Sequence, residues 1–172
     1  MTEPAAFDPR RVLQRLNDGG VRYIVIGALA GILHGSPTVT ADVDVCYARD
    51  PENVEALANV LKGLNARLRG AEPGLPFQLD AKTLLAGDSF TFVTDAGDFD
   101  VLGTPAGTRG FDDLVRAATP MDLDGLQVLV ADIDDLIRMK LAAGRPKDRV
   151  EVEILGALRE EIDKHGSKAS RD

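Results

Sequence analysis

Two short runs, Asp42-Val43-Asp44-Val45 and Asp98-Phe99-Asp100-Val101-Leu102, alternate carboxylates with apolar residues. Alternate residues of a strand point to the same side, so Asp42 and Asp44 aim two carboxylates at one spot while Val43 and Val45 face a core. Like charges held that close repel unless a cation stands between them, and hard oxygen donors suit Mg2+ or Mn2+. An edge strand with an acidic outer face gives the same pattern, but the neighbouring Val43, Val45 and Cys46 require one side of this strand to be buried. In the second run Asp100 lies deeper in the strand and is the better third ligand. Asp98 lies near the turn Asp95-Ala96-Gly97, where Asp is common for reasons of turn chemistry. The expected metal ligands, and the residues on which catalysis would rest, are therefore Asp42, Asp44 and Asp100.

Upstream, Ile24-Val25-Ile26-Gly27-Ala28 reads as a strand running into a helix through glycine. Such a junction can offer backbone N–H groups to a phosphate, although on this glycine alone a tight turn with no ligand is the better reading. Downstream, Arg138, Lys140, Arg145, Lys147 and Arg149 face a single acid, Asp148, across one segment. An anion-binding surface and a solvated helix face are both consistent with that clustering. His34 ends an apolar stretch and reads as a hydrogen-bonded structural histidine. Cys46 sits inside an apolar run and reads as a packed thiol. With only His34 and His165 to join it, zinc is disfavoured.

The elements that must position these residues follow from periodicity and punctuation. Asp8 and Pro9 open a helix through Leu16, ended by Gly19 and Gly20. Tyr23 to Ile26 is a buried strand, Ala28 to His34 a short helix, and Asp42 to Tyr47 a second strand. Asp50 and Pro51 start a helix predicted to run to about Leu68, with Val54, Leu57, Leu61, Leu64 and Leu68 on one stripe. A short helix near Ala81 to Leu85 precedes the hairpin of Ser89 to Thr94 with Phe99 to Leu102. Phe111 to Ala118 is predicted helical, Leu126 to Val130 a strand, and Asp132 caps a helix from Ile133 to Ala143 that Gly144 ends. Pro146 starts a last helix to about Lys164. This order predicts an α/β (α+β) domain with a mixed sheet and helices mainly on one face.

At 172 residues, 44% hydrophobic and 28% charged, the chain can bury one core. We expect one domain over residues 1–165 and a flexible tail over 166–172. No apolar run approaches the roughly 20 residues of a membrane span, and the first ten residues lack the features of a signal peptide, so a cytoplasmic protein without a membrane partner is expected. A net charge of −8 argues against tight nonspecific binding of nucleic acid.

Together these pieces resemble the DNA polymerase β-like nucleotidyltransferase superfamily. Its pattern is an apolar residue, Gly, then Gly or Ser, a spacer, and Asp-apolar-Asp/Glu-apolar; Gly27, Ala28, the spacer 29–41 and Asp42-Val43-Asp44-Val45 follow it, and Asp100 supplies the third acid. The run Gly27 to Asp44 and the segment Asp135 to Asp148 look like the small bacterial members related to AbiEii and MenT toxins. The resemblance implies a polymerase β-like core and a Mg2+- or Mn2+-dependent transfer of a nucleoside monophosphate from an NTP such as ATP to a hydroxyl on RNA, protein or a small molecule. It places Gly27, Ala28, Ser36, Thr40, Lys140, Arg145 and Asp148 at the nucleotide. An antitoxin-like protein or a second copy of the chain is an implied partner, and tRNA an implied acceptor. Two positions depart from the pattern: Ala28 lacks the hydroxyl that some relatives carry, and Thr38 stands where many have arginine. A noncatalytic nucleotide- or metal-binding relative with a regulatory or toxin–antitoxin role is the competing reading.

Overall fold

Aspartates set the helix starts. In the computed structural model, which describes residues 3–72 and 74–169, Asp8 accepts a hydrogen bond from Arg11 N, Asp50 from Asn53 N, Asp80 from Thr83 N and Asp132 from Asp134 N, at 2.8–3.1 Å. Each satisfies an N–H that has no partner inside its own helix. The capped helices are α1 (Pro9–Asp18), α3 (Pro51–Gly63), α4 (Ala81–Ala86) and α6 (Ile133–Ala143); α2 (Gly27–Leu33), α5 (Phe111–Leu114) and α7 (Asp148–Ala169) complete the helical set. Gly144, at φ 64°, ends α6 in the left-handed conformation.

The strands are β1 (Tyr23–Ile26), β2 (Asp42–Tyr47), β3 (Arg67–Leu68), β4 (Ser89–Thr94), β5 (Gly97–Leu102), β6 (Thr119–Leu123) and β7 (Leu126–Val130). They form one mixed sheet in the order β3-β4-β5-β2-β1-β7-β6. β2 lies between antiparallel β1 and parallel β5, and the β4–β5 hairpin extends the sheet toward β3. Val43 opposite Phe99 and Val45 opposite Val101 are fully buried, and α1 and α3 add Val12, Leu13, Leu16, Val54, Leu57 and Leu61 to the same core. The other face of β2 and β5 carries Asp42, Asp44, Asp98 and Asp100. On that side α2 contacts β1, β2 and α6, and α6 packs against α7.

Several boundaries differ from the sequence expectation. Helix α3 stops at Gly63 because Asn65 turns the chain at φ 52°, and Arg67–Leu68 then pairs with β4 as an edge strand. Residues 115–118 do not continue α5; the chain instead enters β6, whose Pro120 pairs opposite Leu129. Both missed strands are too short or too exposed to show an apolar alternation. The last helix starts at Asp148 rather than Pro146 and continues past Gly166 to Ala169, so the part of the expected tail that is described is helical; residues 170–172 lie outside the described residues.

Phe99 is fully buried between the two acids of β5, so it anchors the strand that carries them. Phe99→Ala is expected to lower stability by about 3–5 kcal/mol, read from urea unfolding followed by circular dichroism.

Candidate active site

The sheet register builds the site. Parallel pairing sets Asp42 beside Asp98 and Asp44 beside Asp100, so four carboxylates stand in two rows on one face. Across the hairpin Thr91 lies opposite Asp100 and Ser89 opposite Leu102, which adds two hydroxyls to the same face. Gly27 closes the other flank: its φ is 68°, and a Cβ there would collide with Asp44 Oδ2. Only glycine lets the start of α2 cross directly over that carboxylate.

Asp42, Asp44, Asp100, Ser89, Thr91 and Gly27 line a cavity of about 380 Å³ that also includes Ala28, Thr40, Lys140, Arg145, Lys147, Asp148 and Glu151. The sequence-expected Asp42, Asp44, Asp100, Gly27, Ala28, Thr40, Lys140, Arg145 and Asp148 thus meet at one cavity. Ser36 does not line it; its hydroxyl lies 3.0 Å from that of Thr38. Thr40 Oγ1 hydrogen-bonds the main chain of Asp42, accepting from its N at 3.2 Å, and so fixes the entry to β2.

Opposite the acids, Asp148 is almost completely buried and ties two cations together. Arg145 Nε donates to its Oδ2 at 2.9 Å, and Lys140 Nζ lies 3.7 Å from its Oδ1. Lys140 also pairs with Glu151. Burial opposes ionisation of Asp148, but Arg145 and Lys140 hold its carboxyl below the usual carboxylate range. Lys140 and Arg145 are therefore placed by Asp148, while Lys147 is exposed at the cavity rim.

Arg69 was not legible as a site residue. It follows the two-residue β3, its N donates to Thr91 O at 2.9 Å, and its Nη2 donates to Phe92 O at 3.1 Å and to Asp100 Oδ1. Its Nε lies 3.4 Å from Asp98 Oδ2. Only the edge pairing reveals it. Two other residues have structural roles: His34 Nε2 hydrogen-bonds with Ala131 O at 2.8 Å, and Cys46 is buried with its thiol pushed up to about 12 by desolvation.

Burial, and then the neighbouring charges of Asp100 and Asp42, raise the Asp44 pKa to about 7, and Asp44 and Asp100 share a hydrogen bond. Asp100 is also raised by burial, against the lowering effect of Arg69. Among the described residues, no three His, Cys, Asp or Glu side chains are already arranged as a metal cage. The contacts explain this: Asp100 is turned toward Arg69 and bonded to Asp44. The donor set itself fits a hard divalent cation, since it is all oxygen and its carboxylates are crowded on one face.

No protein-family model matches the sequence, and a comparison with curated proteins finds no match either. Solved structures do match. Lincosamide antibiotic adenylyltransferase LnuA, bound to lincomycin, is 11% identical at TM-score 0.57, covering 87% of this chain and 94% of its own. ANT(2")-Ia in complex with adenylyl-2"-tobramycin is 11% identical at TM-score 0.57, covering 95% and 96%. A Thermotoga maritima protein provisionally assigned as a nucleotidyltransferase is 16% identical at TM-score 0.54, covering 90% of each chain. The chain shares its fold with these structures. Among the described residues, no helix is long and apolar enough to cross a membrane.

Asp44 gives the fold a pH signature. With a folded pKa near 7 against an ordinary value of 3.8, the native state holds a proton that the unfolded state has released. Stability should therefore fall as pH rises from about 4 to about 7, because the unfolded chain binds fewer protons across that window. In urea unfolding at a series of pH values without divalent cations, Asp44→Asn should flatten that fall.

Proposed function

We propose that the chain is a metal-dependent nucleotidyltransferase that moves a nucleoside monophosphate from an NTP to a hydroxyl acceptor and releases pyrophosphate. The observation that carries this reading is the register that sets Asp44 beside Asp100, with Asp42 on the same face, in a cavity whose opposite wall bears Lys140, Arg145 and Lys147. The fold shared with LnuA and ANT(2")-Ia supports it.

In this reading Asp42, Asp44 and Asp100 would hold Mg2+ or Mn2+, which would supply charge neutralisation at the triphosphate and a lowered pKa for the acceptor hydroxyl. Gly27 and Ala28 bring main chain to the phosphates, and Thr40 fixes the backbone that presents Asp42. Lys140 and Arg145, held by Asp148, face the phosphate charge from the other wall. Asp100 takes up the acceptor proton as the acceptor oxygen bonds to the α phosphorus and the bond to the pyrophosphate oxygen breaks. Most of the rate enhancement then comes from positioning and fixed charge.

A small-molecule hydroxyl is the favoured acceptor, because two of the similar structures are named for adenylyl transfer to, or an adenylylated form of, an antibiotic. The resemblance to AbiEii and MenT toxins keeps tRNA or a protein side chain as the other outcomes, with an antitoxin-like partner in that case.

Incubation with each α-32P-labelled NTP, Mn2+ or Mg2+, total RNA and protein, and a panel of hydroxylated small molecules tests the reading. Labelled product from the intact protein, lowered at least 100-fold in Asp42→Ala and Asp44→Ala with their folds retained, is the expected result. Transfer undiminished in either variant would overturn the mechanism. Nucleotide binding by calorimetry without any transfer would favour a noncatalytic binding relative.

A further inference from the structure

Arg69 is the cation that meets the third acid. It reaches the acid face from the sheet edge, where its own N and the Phe92 carbonyl fix it, and its guanidinium pairs with both Asp100 and Asp98. The seat is imperfect. Its Nε is buried without a hydrogen-bond partner, because Asp98 Oδ2 at 3.4 Å is near enough for charge attraction but is not aligned to accept. Asp98 is more than a third exposed and Asp100 about one-sixth, so the pair is only partly screened by solvent.

A divalent cation and this guanidinium make opposed demands on one carboxylate. Asp100 Oδ1 accepts from Arg69 Nη2, and a cation shared with Asp44, its neighbour across the register, would draw on the same carboxylate's charge. On the opposite wall Lys140 and Arg145 are already engaged by Asp148 and Glu151, and Lys147 stands exposed at the rim, so Arg69 is the cation paired with Asp100.

Resting on the nucleotidyltransferase reading, we propose that Arg69 is a resident counter-ion and positioning residue. It competes with the divalent cation for Asp100 and sets how tightly that cation binds, and it orients Asp100 during turnover. Removal of its charge then tightens cation binding and lowers turnover, two effects that a purely structural residue would not separate.

The test uses the full chain with Mn2+ as probe, bound Mn2+ being read by electron paramagnetic resonance and calorimetry, with circular dichroism to verify the fold. Arg69→Gln keeps a polar N–H side chain and removes the charge, and Arg69→Lys keeps the charge. Mn2+ affinity is expected to rise about 5- to 10-fold in Arg69→Gln, which matches the worth of one partly exposed ion pair, and to stay within about 2-fold of wild type in Arg69→Lys. In the transfer assay, kcat should fall in Arg69→Gln while the Mn2+ concentration for half-maximal rate also falls. Unchanged or weaker Mn2+ binding in Arg69→Gln, where wild type binds Mn2+ through Asp44, would overturn this proposal alone. If neither protein shows binding that Asp44→Ala removes, the metal-dependent reading itself fails, and this proposal with it.

Discussion

The parallel pairing of β2 with β5 is the constraint on which the site depends. Side chains alternate along a strand, so this pairing puts Asp42, Asp44, Asp98 and Asp100 on one side and Val43, Val45, Phe99 and Val101 on the other. A slip of one residue would carry carboxylates into the core and valines into the cavity, which the buried apolar set forbids. Chemistry and folding are therefore locked together: the hydrophobic half of each strand fixes the geometry of the acidic half. Gly27 completes the arrangement, since the chain leaving β1 has to cross Asp44 at a distance that no side chain allows.

The charge at this face is out of balance by design of the sequence around it. Two acids are raised in pKa by burial and mutual repulsion, and the nearest cations sit on opposite flanks. Arg69 touches only the β5 row, while Lys140 divides its charge between Asp148 and Glu151. The cavity thus presents a negative floor and a basic wall whose side chains are pre-positioned by acids, an arrangement suited to a polyanion that arrives together with its own counter-charge.

Much of this was legible in the chain. The acid-apolar alternation located Asp42, Asp44 and Asp100, and the boundaries of β1, β2, β4, β7 and α6 follow from apolar runs and caps. Asp148 stood out as the lone acid among five cations, but that it pairs with both Lys140 and Arg145 is seen only in the structure. Arg69 and the pairing of Asp98 with Asp42 were not legible, because they depend on which strands become neighbours. Strand β3 spans two residues and leaves no period, and Leu68 continued the apolar stripe of α3 until Asn65 broke it. Ser36 illustrates the converse: a hydroxyl near the motif in sequence is bonded locally to Thr38 and stays outside the cavity.

The two strands that escaped the sequence reading are the two outermost strands of the sheet. One is only two residues long; the other carries Pro120, which has no N–H to give an incoming strand, and an exposed Asp122. A sheet grows from chain to chain through long rows of unpaired main-chain donors and acceptors. Both rims are blunted against that growth, so fibre-like stacking is opposed from either side.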